Sequence, residues 1–196
     1  LLAIGTIVLA SSMTSCGSSA KTQANTIDSV KKCIGNVSRL KVMDRLASTI
    51  YATNFEWWDD TTGKIGQLHD YYGKTVVITF WGTWCDGCAA DMDDLAALQK
   101  TYADSGVAFI GITLREPGSF NEILARVAQY CADHGIAYQQ VIGNSEFAAA
   151  YGGIYQLPTT IMLTKEDKVL ETLPGKQGKA KLEAEIRKTM AYEPPR

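Results

Sequence analysis

The apolar positions along the chain follow two rhythms. Between residues 26 and 51, Ile27, Val30, Ile34, Val37, Leu40, Met43, Leu46 and Ile50 recur at steps of three and four. That period predicts amphipathic helix, split by Gly35-Asn36, with Ser38 able to cap the second piece. Residues 55–58 (FEWW) then predict a short strand, 59–63 a turn and 64–68 a returning strand. From residue 74 the rhythm changes. Residues 75–80 (TVVITF) and 107–113 (VAFIGIT) are continuously apolar and β-rich, as strands buried on both faces should be. Between them, Met92, Leu95, Leu98 and Tyr102 mark one stripe of a helix over 86–103. Ser119 should cap a second helix, striped by Phe120, Ile123, Leu124, Val127 and Cys131 and ending near His134-Gly135. A strand over 136–142, a short helix over 144–151, two strands over 159–164 and 168–173 and a last helix over 178–192 complete the pattern. Strands alternating with helices, then a hairpin and a helix, predict an α/β sandwich around one mixed sheet.

Residues 1–10 stand apart. They form an apolar run without charge, too short to span a bilayer and of the length of a secretory apolar segment. No basic stretch precedes them, so the sequence as given is expected to start inside its signal peptide, over residues 1–15. Met13-Thr14-Ser15-Cys16 is similar to a bacterial lipobox with Met in place of the usual Leu, which makes Cys16 the expected lipidated residue. Residues 16–25 then read as lipidated Cys and tether, 26–52 as a helical extension and 53–196 as the main domain. This organisation implies a bacterial envelope protein, lipid-anchored and facing an oxidising compartment in which disulfides persist.

Composition narrows the function. Of 196 residues, 46% are hydrophobic and 20% charged, enough for a packed core. A net charge of −2 leaves no global basic footprint for nucleic acid. Beyond Cys16, four cysteines remain: Cys33, Cys85, Cys88 and Cys131. Cys131 lies on its helix's apolar stripe and reads as a small buried hydrophobe. A Cys33–Cys131 bridge is the alternative.

Cys85-Asp86-Gly87-Cys88 sits where the first buried strand feeds a helix. Cysteines three apart on a first helical turn can bond each other. The free N–H groups and positive end of the helix favour the Cys85 thiolate, the species that attacks disulfides. A zinc site would need a second ligand pair, and the two His and the other cysteines are scattered. A structural bridge across so short a loop would gain little closure entropy. Redox chemistry is therefore the reading, with no metal and no cofactor.

The segment Phe80-Trp81-Gly82-Thr83-Trp84-Cys85-x-x-Cys88 resembles the active site of TlpA/ResA-like thiol-disulfide oxidoreductases, exported members of the thioredoxin superfamily. Residues 151–160 (YGGIYQLPTT) are similar to the family's second signature. The resemblance implies a thioredoxin-like fold, a central mixed sheet flanked by helices, here with an N-terminal helical extension. It implies that Pro158 is cis beside the cysteine pair, that the Leu157 backbone receives an extended substrate strand and that Trp84 borders the site. It also implies protein thiol or disulfide substrates and an upstream membrane thiol protein as electron donor.

Glu116 follows the second buried strand, where family members that reduce cytochrome c precursors carry a Glu. It could accept the Cys88 proton, or be a solvated loop acid beside Arg115. Thr79 stands where thioredoxin has a buried Asp. The family's usual Pro between the cysteines is missing, and the Asp86 carboxylate should oppose the Cys85 thiolate, which argues for a reductase. A peroxiredoxin-like peroxidase would need a Thr at Gly82, three residues before the cysteine. A non-catalytic interaction domain would be expected to lose a cysteine or the Leu157-Pro158 turn.

Overall fold

A computed structural model describes residues 37–43, 50–59 and 62–194. Eight strands form one mixed sheet in the order β3-β2-β1-β6-β5-β4-β7-β8. They are β1 (Val37–Met43), β2 (Phe55–Asp59), β3 (Lys64–Gln67), β4 (Thr75–Trp81), β5 (Val107–Thr113), β6 (Gln139–Ile142), β7 (Thr159–Leu163) and β8 (Val169–Pro174). The helices are α1 (Ala89–Thr101), α2 (Phe120–Asp133), α3 (Ser145–Ala150) and α4 (Lys179–Met190).

Strands β4 and β5 are buried at every position, because helices or loops cover both faces of the sheet. Val77 and Trp81 of β4 meet α1, α2 and α4 through Met92, Leu95, Val127, Leu182 and Ile186. Val76, Ile78 and Phe80 point the other way, into a core with Phe55, Trp57, Leu68 and Phe147. Ser119 caps α2 as expected, in a box where its N–H and hydroxyl donate to Glu122 at 2.7 Å. Asn144 caps α3 by accepting from the Phe147 N–H at 2.8 Å.

One expectation is corrected. Within the helical extension expected over 26–52, Val37–Met43 is a strand. It pairs parallel with β6 and antiparallel with β2, so the sheet extends through it. The reason is a bulge. Leu40 opposes Trp57 and Met43 opposes Phe55, leaving Lys41 as an extra residue between. The bulge puts Leu40 and Met43, three apart, against the same core. A helix produces that spacing too. Residues 1–36 and 44–49, with Cys16 and Cys33, lie outside the described residues.

Candidate active site

Three strand ends converge on the cysteine pair. β4 and β5 run parallel, pairing Trp81 with Thr113, so the residues that follow each leave the sheet at the same end. β7 runs antiparallel to β4 with Thr159 opposite Phe80, so the segment entering β7 lies at that end as well. The topology thereby gathers residues 82–88, 114–116 and 154–158 around one rim.

Cys85 and Cys88 form a disulfide, S–S 2.11 Å with Cα atoms 5.4 Å apart. Cys85 precedes a 3-10 turn over Asp86–Cys88 that leads into α1. The Cys88 N–H donates to the Cys85 carbonyl at 2.9 Å. The two sulfur-bearing residues sit at different depths. Cys85 is partly exposed, whereas Cys88 has no accessible surface and joins the core under α1. Asp86 and Gly87 are exposed.

Trp84 is 46% exposed but anchored. Its indole N–H donates to the Leu114 carbonyl at 3.2 Å, and the ring lies over Gly82. A Cβ at Gly82 would stand 2.8 Å from the indole nitrogen, so only glycine lets the ring settle there. Leu157-Pro158 is a cis bond. Pro158 is buried, and its carbonyl accepts from the Gly175 N–H at 2.7 Å. Leu157 is partly buried against both cores.

Glu116 is a buried side chain, 2% exposed, not a solvated loop acid. Its Oε1 accepts the Thr83 N–H at 2.7 Å. Its Oε2 accepts the Thr83 hydroxyl at 2.7 Å and the Arg126 Nε at 3.3 Å. Arg126 also donates to the Pro117 carbonyl. The preceding residue, Arg115, has φ of 58° and donates to the Ile154 carbonyl at 2.6 Å. A non-glycine residue at positive φ is strained, here at the sharp turn that carries Glu116 toward Thr83. Loop 82–88, the β5 exit and the segment before Pro158 are thus tied together by Glu116, Arg115 and Arg126.

Sequence reasoning missed other supports. Asp91 of α1 is fully buried, and its carboxylate accepts the Gln177 and Gly178 N–H groups at 2.8 and 2.9 Å, fastening the start of α4. A charged residue on the stripe of Leu95 and Leu98 was the available signal. Gln140 of β6 accepts the Trp81 indole N–H at 3.0 Å. Thr79 faces Thr160, their hydroxyls 3.2 Å apart, where a carboxyl would stand in thioredoxin. Trp57 and Trp81 are core residues. Cys131 is a free, buried thiol on α2, and burial pushes its pKa up to about 12. Among the described cysteines, thiol–disulfide exchange therefore falls to the Cys85–Cys88 pair and not to Cys131.

No group of His, Cys, Asp or Glu able to hold a metal occurs among the described residues. Nor is any described helix long and apolar enough to cross a membrane.

The Redoxin family model matches residues 50–186. The thiol-disulfide oxidoreductase ResA of Bacillus anthracis is 30% identical over 129 residues, covering 66% of this chain and 71% of the relative. That of Bacillus thuringiensis subsp. konkukian is 32% identical over 131 residues with the same coverage. Among solved structures, a thiol:disulfide interchange protein of the thioredoxin family from Chlorobium tepidum TLS superposes with a TM-score of 0.62 at 26% identity, covering 74% of this chain and 98% of that one. With a disulfide-bonded Cys-x-x-Cys at the end of β4 in a thioredoxin-like sheet, the chain belongs to the Redoxin family and is a ResA/TlpA-like thiol-disulfide oxidoreductase of the thioredoxin superfamily.

Proposed function

We propose that this protein is a disulfide reductase for protein substrates, with Cys85 as the attacking thiol and Cys88 as the resolving one. The difference in depth between the two cysteines carries this reading. Attack on a substrate disulfide needs access as well as thiolate character, and only Cys85 has access. The Cys85 thiolate attacks one sulfur of the substrate disulfide and releases the other as a thiolate, which takes up a proton. The Cys88 thiol, losing its proton, then attacks Cys85 of the mixed disulfide. The substrate leaves reduced with its second thiol, and the Cys85–Cys88 disulfide remains. An upstream thiol protein at the membrane would return the pair to the dithiol. The Leu157 backbone receives the substrate as an extended segment, with Trp84 at its border.

Glu116 enters this scheme as a positioning residue. Its oxygens already accept three hydrogen bonds, so it holds Thr83, two residues before Cys85, and does not act as a free base. The reductase direction rests on Asp86, whose charge beside Cys85 disfavours the thiolate and so favours the oxidised pair. An export signal over residues 1–15 and lipidation of Cys16 would place the domain on the outer side of a bacterial membrane.

Trapping tests the division of labour. Cys88→Ser should accumulate mixed disulfides with substrate proteins, visible on non-reducing gels, and Cys85→Ser should accumulate none. Both variants should lose turnover in insulin reduction. Complexes that depend on Cys88 would reverse the roles, and full turnover by either variant would end the dithiol mechanism.

A further inference from the structure

Two basic residues are attached to opposite ends of the segment that carries Leu157-Pro158. At its start, the Arg115 guanidinium donates to the Ile154 carbonyl at 2.6 Å. At its end, the Pro158 carbonyl accepts at 2.7 Å from the N–H of Gly175, the residue before Lys176. Each basic residue is also tied to the cysteine loop through a neighbour. Leu114, before Arg115, holds the Trp84 indole on its carbonyl at 3.2 Å, and Trp84 precedes Cys85. Gln177, after Lys176, gives its N–H to Asp91 of α1, the helix that Cys88 leads into, at 2.8 Å. Backbone contacts thus fix both residues beside the surface that a substrate crosses to reach Cys85. Arg115 and Lys176 are exposed.

Their charges are not spent on the protein. Among the described residues, no carboxylate forms an ion pair with either. Glu116, next to Arg115, is committed to Thr83 and Arg126. Asp91 is buried and gives its oxygens to the Gln177 and Gly178 N–H groups. The bond to Ile154 leaves the rest of the Arg115 fork able to donate to a carboxylate. The opposing charge is Asp86, exposed between the two cysteines. Two free cations against one acid make this rim positive, although the whole chain carries a net charge of −2.

We infer that Arg115 and Lys176 determine specificity, selecting protein substrates whose disulfide is flanked by acidic side chains. The inference rests on the proposed reductase function and names its substrate class. An extended substrate along Leu157 turns alternate side chains to one face. Acids two residues to either side of its cysteine therefore come to the rim together with that cysteine. Exposed cations act on such acids mainly during encounter, so the selection is sensitive to salt.

The test uses three peptides of equal length, each closed by one disulfide, with Glu, Gln or Lys two residues to either side of each cysteine. The full dithiol protein reduces them. Rates are divided by those with dithiothreitol, which also attacks as a thiolate and so corrects for the reactivity of each disulfide. In about 20 mM salt the Glu peptide should be preferred over the Gln peptide about tenfold in kcat/KM, with the Lys peptide slower than both. In about 0.5 M salt the preference should shrink to within about twofold. Arg115→Gln and Lys176→Gln should each lower it to about threefold. Lys176→Glu, a charge reversal at an exposed site, should lower it further and speed reduction of the Lys peptide. Equal corrected rates for the three peptides, or a preference for the Lys peptide, would overturn the inference and leave the dithiol reading intact. A preference for Glu unchanged in all three variants would overturn the assignment to Arg115 and Lys176. Failure to reduce any peptide, with Cys85 demonstrably free, would overturn the reductase reading and the inference with it.

Discussion

Two carboxylates sit near opposite ends of the sheet, each at a turn with a non-glycine residue at positive φ. At the active end, Arg115 has φ of 58° and Glu116 follows it. In the hairpin between β7 and β8, Asp167 itself has φ of 59°. The strain is similar and the use differs. Glu116 satisfies both oxygens with Thr83 and Arg126. Asp167 keeps Oδ1 buried without a partner, while Oδ2 lies 3.5 Å from the exposed His69. Burial raises the Asp167 pKa, with His69 opposing the shift. The comparison teaches that a buried carboxylate is informative through its partners. One braces the loop that carries the cysteines, and the other is a cost the hairpin tolerates.

The largest break in this comparison should come from Glu116→Ala. It strands the Thr83 N–H and hydroxyl and leaves Arg126 without its anion. A loss of about 2–4 kcal/mol in denaturant unfolding is expected, with turnover falling alongside. A loss under about 0.5 kcal/mol would remove Glu116 from the frame of the site. Glu116→Gln keeps one acceptor for the Thr83 N–H and should cost less, about 1–2 kcal/mol. Because it retains the loop's main tether, it should slow attack and resolution by similar factors in rapid mixing. Selective slowing of resolution would return Glu116 to the role of proton acceptor for Cys88.

Asp167→Asn should move stability the other way. A carboxyl whose folded pKa is raised favours the folded state below its unfolded pKa, and that advantage fades as pH rises through the folded value. At pH 7 the charged form is therefore a penalty. Asn removes the charge and adopts positive φ readily. We expect a gain on the order of 1 kcal/mol, about 3 °C in Tm, at pH 7. The gain should shrink toward pH 4, and a gain independent of pH would point to backbone conformation alone.

The smallest effect belongs to Asp86, exposed beside Cys85. Asp86→Asn should shift the alkylation profile of the reduced protein to lower pH by a few tenths of a unit, because the removed charge is screened by solvent. Iodoacetamide rates against pH would measure it. An unchanged profile would withdraw the argument from Asp86 to a reducing protein.

Much of this architecture was legible in the chain. β4 and β5 read directly because both faces are covered, which makes their apolar runs continuous. The cysteine pair and Leu157-Pro158 were legible as local motifs, and the strand pairing then brought them to one rim. β1 was not legible, since a bulge at Lys41 gives a strand the spacing of a helix. The clamp on Thr83 was hidden for another reason. Its members lie 33 and 43 residues from Thr83 in the chain, and only the parallel pairing of β4 and β5 with the packing of α2 assembles them. Asp91 and its partners at 177–178 are separated in the same way.

The placement of β1 also bears on solubility. Without it, β6 would end the sheet and offer a row of unpaired backbone groups to other chains. Among the described residues, pairing β1 with β6 moves that margin to β3, which has four residues, begins at Lys64 and contains Gly66. The opposite margin, β8, is met at its start by residues 50–52 and ends on Pro174, which has no N–H to donate. A short strand led by a charge and a strand stopped by proline are both poor templates for edge-to-edge growth. The three N-terminal strands thus act as a guard on the sheet, a role separate from the chemistry they flank.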